Sequence, residues 1–260
     1  MSRSLPVVPE PPLRRWGGLL VRRSGWKLSL GGWLLLLALM VGFAGGFLRG
    51  IHPFLAVTHP LRGPILVVEG WSPNFAMPQV AAEYAAGSYQ QVLVVRGIYE
   101  TGGVYDSGRY SGEYLTNLLA QQGIPRERLA ALFPTVVRRD RTYHSALAVK
   151  AWLAQQGRAV DSLDVATVGA HARRSRLLYQ KAMGKGLRVG IIALEDKQYD
   201  PRHWWQSSEG VREVLGESIA YIYARCFFRT PNESGSRAKA EPFRPLPVLP
   251  AQSRGPPLLA

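Results

Sequence analysis

The residues of this chain that could do chemistry fall into five short clusters. Glu69, Gly70 and Trp71 follow the apolar run ILVV. Arg96 and Gly97 close QVLVV. Asp140, Arg141 and Thr142 come after LAALFPTVV and lead into TYHSALAVKAWL. His171, Arg173 and Arg174 follow SLDVATVG, and Glu195, Asp196 and Lys197 follow LRVGIIAL. A carboxylate and an imidazole such as Glu69 and His171 work as a general acid/base pair when folding brings them within reach of one ligand. Asp140 is the third candidate for positioning a ligand or moving a proton. Arginine presents two parallel N–H donors to a carboxylate or phosphate, so Arg96, Arg141, Arg173 and Arg174 suit an anion. Gly70, Trp71, Gly97 and Thr142 complete the candidate lining. Simpler roles compete with these: Glu69 can pair with Arg96 or Arg141, and the arginine run at 138–141 can be a solvated turn. The sequence VGAHARRSR adds a question. Its cations stand where a helix should begin, at the positive end of the macrodipole, which favours acidic groups.

Each cluster follows an apolar segment. Val/Ile/Leu-rich runs at 65–70, 91–97, 129–137, 162–169 and 187–194 read as strands. Helical segments at 76–88, 113–123, 142–157, 173–184 and 207–228 alternate with them, and 98–112 reads as a Gly/Tyr-rich loop. Near-continuous apolar strands alternating with helices argue for a parallel sheet covered on both faces. In such a sheet, ligands bind beyond the carboxyl ends of the strands, which is where all five clusters fall. The predicted fold is therefore α/β: a Rossmann-like three-layer sandwich of about five mainly parallel strands, preceded by one transmembrane helix. In the aromatic stretch 199–210, Trp204 and Trp205 are read as packing under the last helix. An aromatic wall over a ligand or a lip facing a membrane is the alternative.

The transmembrane expectation rests on residues 28–48, which carry no charge between Lys27 and Arg49. About 20 apolar residues cross a hydrocarbon core. Trp26 and Trp33 suit the interface, and the arginines before the segment place the N-terminus in the cytoplasm by the positive-inside rule. A cleaved signal peptide fits less well, because the apolar run exceeds a signal core and no A-x-A site follows. The expected order is a basic cytoplasmic segment (1–27), the span (28–48), a linker (49–63), the α/β domain (64–228) and a Pro-rich disordered tail (229–260). The domain then lies outside the cytoplasm, at a bacterial inner membrane. The formal charge of +14 divides as +6 over residues 1–49, +5 over 50–228 and +3 over 229–260. Most of it lies outside the folded domain, which argues for a membrane flank and against nucleic acid.

Several familiar chemistries lack their motifs. There is no G-x-x-x-x-G-K-[ST] or G-x-G-x-x-G phosphate loop, no G-x-S-x-G elbow and no metal-ligand spacing of the H-E-x-x-H kind. No cofactor is legible. The lone cysteine, Cys226, excludes an intrachain disulfide.

The blocks ILVVEGW, VRRDRTYHSALAVKAWL, VGAHARRSRLLYQKAMG and YDPRHWWQSSEGVREVLGESIAYIYA occur in order over residues 64–228. Together they resemble the YdcF-like family, which includes the SanA and ElyC envelope proteins. The resemblance implies a Rossmann-like sheet. Family members carry a Thr-x-Glu-Asn block where this chain has Thr142-Tyr143-His144-Ser145. They carry a His block that His171 and its arginines keep. Where this chain has Glu69-Gly70, many members show a glycine-rich turn. The envelope branch implies a setting around peptidoglycan and its lipid carrier. The expectation drawn from residues and resemblance together is a membrane-anchored protein whose cleft binds a phosphorylated or nucleotide-like anion, with phosphoester or pyrophosphate chemistry if it is catalytic. The alternatives are a non-catalytic envelope factor holding a lipid-linked precursor, and a methyltransferase-like protein binding S-adenosylmethionine, as one branch of the family is held to do.

Overall fold

The computed structural model describes residues 15–16, 20–22, 26–96, 108–134, 139–157 and 159–230. Near the N-terminus, β1 (Arg15–Trp16), β2 (Leu20–Arg22) and β3 (Trp26–Leu28) form a small antiparallel ribbon within the segment expected to be a plain basic tail. Helix α1 follows over Leu30–Leu55, with the Ser29 hydroxyl accepting from the Gly32 N–H at 3.2 Å. The helix is long and apolar enough to cross a membrane. Its 26 residues extend about 39 Å.

A five-stranded sheet makes up the body. Its strands are β4 (Ile65–Glu69), β5 (Gln91–Val95), β6 (Leu129–Leu132), β7 (Ser162–Val168) and β8 (Arg188–Leu194). They lie in the order β6-β5-β4-β7-β8, and every neighbouring pair is parallel. Helices α2 (Met77–Ala86) and α3 (Gly108–Gln121) cover one face. Helices α4 (Arg141–Gln155) and α5 (Ala172–Met183) pack on each other and on the opposite face. Helix α6 (Ser208–Ile222), capped by the Ser207 hydroxyl, continues into a π-helical turn over Tyr223–Phe227 and packs against α1 and α5. The expected fold class is thus the observed one. Alternate residues of β4, Leu66 and Val68, join the core beneath α2 and α3, as the two-residue period of a strand requires.

Three boundaries differ from expectation. The third strand ends at Leu132 and not at residue 137. Pro134 follows closely and cannot donate to a ladder. Helix α3 begins at Gly108, inside the expected loop 98–112; residues 97–107 lie outside the described residues.

The largest correction concerns the linker 49–63. Its first half continues α1 as far as Leu55, with Pro53 accommodated in the final turn. Tertiary packing holds this turn in place. Leu55 is fully buried in a cluster with Ala170, Tyr199, Trp204 and Val214, against which Phe47, Leu48 and Ile51 pack. The Trp204 indole N–H donates to the Leu48 carbonyl at 2.8 Å. Trp204 therefore packs beside the last helix, as expected, and also fastens α1 to the domain. The second half of the linker lies along the edge of the sheet. His59 exchanges two backbone hydrogen bonds with Ile191 of β8, at 2.7 and 3.1 Å. The Leu61 and Arg62 N–H groups donate to the Asp164 carboxylate at 2.7 and 2.8 Å, and the Tyr89 hydroxyl donates to it at 2.8 Å. Gly190 leaves room for this clasp, since a Cβ there would stand 1.8 Å from Asp164 Oδ1.

Candidate functional site

The strand order reverses between β4 and β7. From β4 the chain builds outward through β5 and β6, then returns to the other side of β4 for β7 and β8. At such a switch point the connections leave in opposite directions and open a crevice beyond the strands' carboxyl ends. A cavity of about 540 Å3 lies there, lined among others by Glu69, Trp71, Asp140, Arg141, Thr142 and His171.

Glu69 is the last residue of β4 and is buried. One of its oxygens accepts from the Ser175 hydroxyl of α5 at 3.0 Å and lies 3.4 Å from His171 Nε2. His171 ends a short 3-10 turn, Gly169–His171, that joins β7 to α5. Gly169 takes φ 51° there, a left-handed conformation that an L side chain rarely adopts. The other imidazole nitrogen, Nδ1, is 2.9 Å from Glu217 Oε1 of α6. Arg174 binds both oxygens of Glu217, through Nε at 2.7 Å and Nη2 at 2.8 Å, and Nη2 also stands 2.9 Å from His171 Nδ1. A guanidinium only donates and a carboxylate only accepts. At Nδ1 the two neighbours call for opposite roles, an acceptor for Arg174 and a donor for Glu217, and the tautomer decides which is met; Nε2 is directed to Glu69. Trp71 closes one side, its ring centroid 4.7 Å from that of His171 at 70°.

Glu213 and Glu217 lie four apart on one face of α6, and their surroundings drive them in opposite directions. Burial raises Glu217, but Arg174 and His171 outweigh it and bring the carboxyl down to about 2. Burial and then the neighbouring Glu217 charge push Glu213 up from its ordinary value. Two carboxyls split in this way can divide the roles of proton donor and fixed charge.

His171, Glu213 and Glu217 each offer one ligand atom within 4.8 Å of the others, a spacing that could hold a metal ion. The Arg174 guanidinium already supplies positive charge at that point, because Nη2 is within 2.9 Å of both His171 Nδ1 and Glu217 Oε1. A cation bound there would have to displace it.

The expected site residues separate into three groups. Glu69, Trp71, Asp140, Arg141, Thr142, His171 and Arg174 line one cavity. Asp140 stands at the N-cap of α4 in a left-handed conformation, φ 53°, and its side chain makes no cap hydrogen bond. Two arginines act elsewhere. Arg96 Nη1 donates to the Gly70 carbonyl at 2.6 Å, fixing the turn after β4. Arg173 reaches the end of α1, where Nε donates to the Phe54 carbonyl and the guanidinium lies 3.9 Å from the Phe54 ring centroid. Gly97 lies outside the described residues. Of the fifth cluster, Glu195 is exposed, and Asp196 is buried beside Gly169 and Tyr199. Neither lines the cavity.

Gly70 serves the site by its lack of a side chain. A Cβ there would fall 2.5 Å from Arg96 Cβ and 3.0 Å from the Val95 carbonyl oxygen. Gly70→Ala is expected to cost about 1–3 kcal/mol, as overpacking does, read as a lowered midpoint in denaturant unfolding.

Ser145, Ser175, Glu213, Glu217 and Tyr223 are members of the site or its support that the sequence reading passed over. The signal for the acidic pair was Glu213-x-x-x-Glu217, two carboxylates four apart and so on one face of the helix. The cations of VGAHARRSR also find their partners. Arg173 binds the negative C-terminal end of α1, Arg174 binds Glu217, and Arg176 Nε donates to the Val189 carbonyl at 3.0 Å.

Comparison with protein-family models, curated proteins and solved structures gives no match.

Proposed function

We propose that this chain is a single-pass, membrane-anchored protein whose α/β domain binds a small phosphorylated or nucleotide-like ligand and acts on it by acid–base chemistry. One observation carries the reading. His171 is held between Glu69 and Glu217 in a cavity at the topological switch point, with Nδ1 beside Glu217 and Arg174 and Nε2 facing Glu69. A carboxylate that fixes one imidazole nitrogen leaves the other to give or take a proton. The ligand's negative group is assigned to the start of α4, where Arg141 and Thr142 line the cavity at the positive end of the helix macrodipole. The carboxylates Glu69, Asp140, Glu213 and Glu217 outnumber the arginines in the lining. The ligand is therefore a small head group with its charge at one end, not a polyanion.

The resemblance to YdcF-like envelope proteins and the basic residues before α1 support a domain outside the cytoplasm, at a bacterial inner membrane. Holding a lipid-linked precursor without turnover, and binding S-adenosylmethionine, are the competing outcomes. A thermal-shift screen of the full chain in detergent separates them, using sugar nucleotides, polyprenyl phosphates, divalent cations and S-adenosylmethionine. The expected result is stabilisation by a phosphorylated compound. Stabilisation by S-adenosylmethionine alone overturns the reading. For the compound that binds, His171→Ala is expected to leave affinity within about tenfold and lower turnover by about a hundredfold or more. Unchanged turnover removes the acid–base role.

A further inference from the structure

We propose that the last turn of α1 is a positioning element of the site. Phe54, Leu55 and Arg173 hold the His171 turn and α6 against each other, so the apolar helix sets the geometry of the cavity as well as preceding the domain. The inference rests on the role assigned to His171, because none of the three lines the cavity and each acts through that cluster.

The end of α1 meets both halves of the cluster. On one side is the turn that carries His171. Leu55, fully buried, packs in one group with Ala170, the residue before His171. The last carbonyls of a helix have no intrahelical partner. In α1 the His52 and Leu55 carbonyls accept from the Ala56 and Val57 N–H groups, and the Phe54 carbonyl accepts from Arg173 Nε. The same guanidinium lies 3.9 Å from the Phe54 ring centroid, so one arginine grips both the backbone and the side chain there. A second brace lies beside it: the His52 ring meets that of Tyr199 at 5.8 Å, and the Tyr199 hydroxyl is 3.4 Å from where a Cβ on Gly169 would stand. On the other side is α6. Val214, next to Glu213, belongs to the Leu55 group, and Tyr221, four residues after Glu217, meets Phe54 edge-on at 5.6 Å.

Two consecutive residues connect this brace to the site. Arg173 and Arg174 project about 100° apart on α5. The first holds α1, and the second holds Glu217 and His171. They share one stretch of helical backbone, so a displacement of α1 reaches Arg174 and His171 through no flexible segment. The contacts at Nδ1, both 2.9 Å, tolerate little movement. A shift of about 0.5 Å carries such a contact beyond the usual hydrogen-bond range. Whatever moves α1 against the sheet therefore acts on the group that gives or takes the proton.

The test reads His171 with no ligand added. The full-length chain, with its histidines labelled in the ring nitrogens, is recorded by NMR in mild detergent at fixed pH, and His171→Ala identifies the His171 signals. Arg173→Met is expected to shift or broaden them, and to speed amide exchange over residues 169–175 about tenfold or more, as a local opening does. Phe54→Ala, made on the other partner, is expected to give the same change. Arg173→Lys keeps a cation at the Phe54 carbonyl and should restore most of the wild-type spectrum. Arg176→Met is the control. It removes a bond from the same helix to the Val189 carbonyl and should leave the His171 signals in place. Unchanged His171 signals in Arg173→Met overturn the proposal, and where that chain does not fold, Phe54→Ala decides in the same way. An equal change in Arg176→Met also overturns it, since that marks a general loosening of α5. Turnover unaffected by His171→Ala would remove the acid–base reading and leave these signals as they are, so the two failures are distinct.

Discussion

Asp164→Ala is expected to destabilise the protein by about 3–5 kcal/mol, the loss seen when a buried, hydrogen-bonded charge site is broken. Asp164 is fully buried in β7 and accepts from the Leu61 and Arg62 backbone and from the Tyr89 hydroxyl. Alanine leaves all three donors without their acceptor and opens a void against Gly190. For a domain of this size the loss corresponds to a fall in Tm of about 10 °C or more. The same clasp ties the chain leaving α1 to the sheet, so amide exchange at residues 59–62 should accelerate with it. Tyr89→Phe removes one donor and keeps the ring, and is expected to cost about 1 kcal/mol. Equal, small effects from both substitutions would show that the clasp contributes little.

Glu217 supplies the second large effect. Its carboxyl is brought down to about 2 from an ordinary 4.5, and its side chain is only 12% exposed. A depressed carboxyl stabilises the folded state fully above its unfolded value and loses that contribution as pH falls through the folded value. Its share, about 3 kcal/mol, is therefore present above about pH 4.5 and lost between there and about pH 2. Glu213 acts in the opposite sense. Its raised carboxyl favours the folded state when protonated, which offsets part of the acid loss. Glu217→Gln is expected to cost about 3 kcal/mol at pH 7, by leaving the half-buried Arg174 without its counter-charge, and to flatten the acid limb of a stability–pH curve. Glu213→Gln should remove the gain in stability that the wild type makes as pH falls toward 4.5, and leave the limb below it unchanged. An acid limb identical in wild type and Glu217→Gln would exclude the ion pair as its source.

The apolar runs around Leu66, Val94, Val165 and Ile191 were legible as strands of a covered parallel sheet because each is long, β-branched and bounded by glycine or charge. Repeated strand–helix alternation leaves few topologies, and the sheet's carboxyl edge then follows without coordinates. That is why Glu69, Trp71, Asp140, Arg141, Thr142, His171 and Arg174 were assigned to one place and are found around one cavity. The assignment failed for Arg96 and Arg173, because an arginine at a strand end reaches several ångströms in any direction and sequence does not fix which. Arg96 turned back to Gly70, and Arg173 turned to Phe54.

The sequence by itself determined the class of fold, the apolar helix that precedes it and the edge of the sheet where chemistry gathers. These depend on periodicity and composition, which are local. Only the tertiary structure decided that α1 runs on through Pro53 into the domain, that Asp164 grips the former linker and that Glu217 of α6 completes the His171 cluster. Each of these joins residues between 43 and 156 positions apart. Such contacts are set by how whole elements pack, and no local pattern records them.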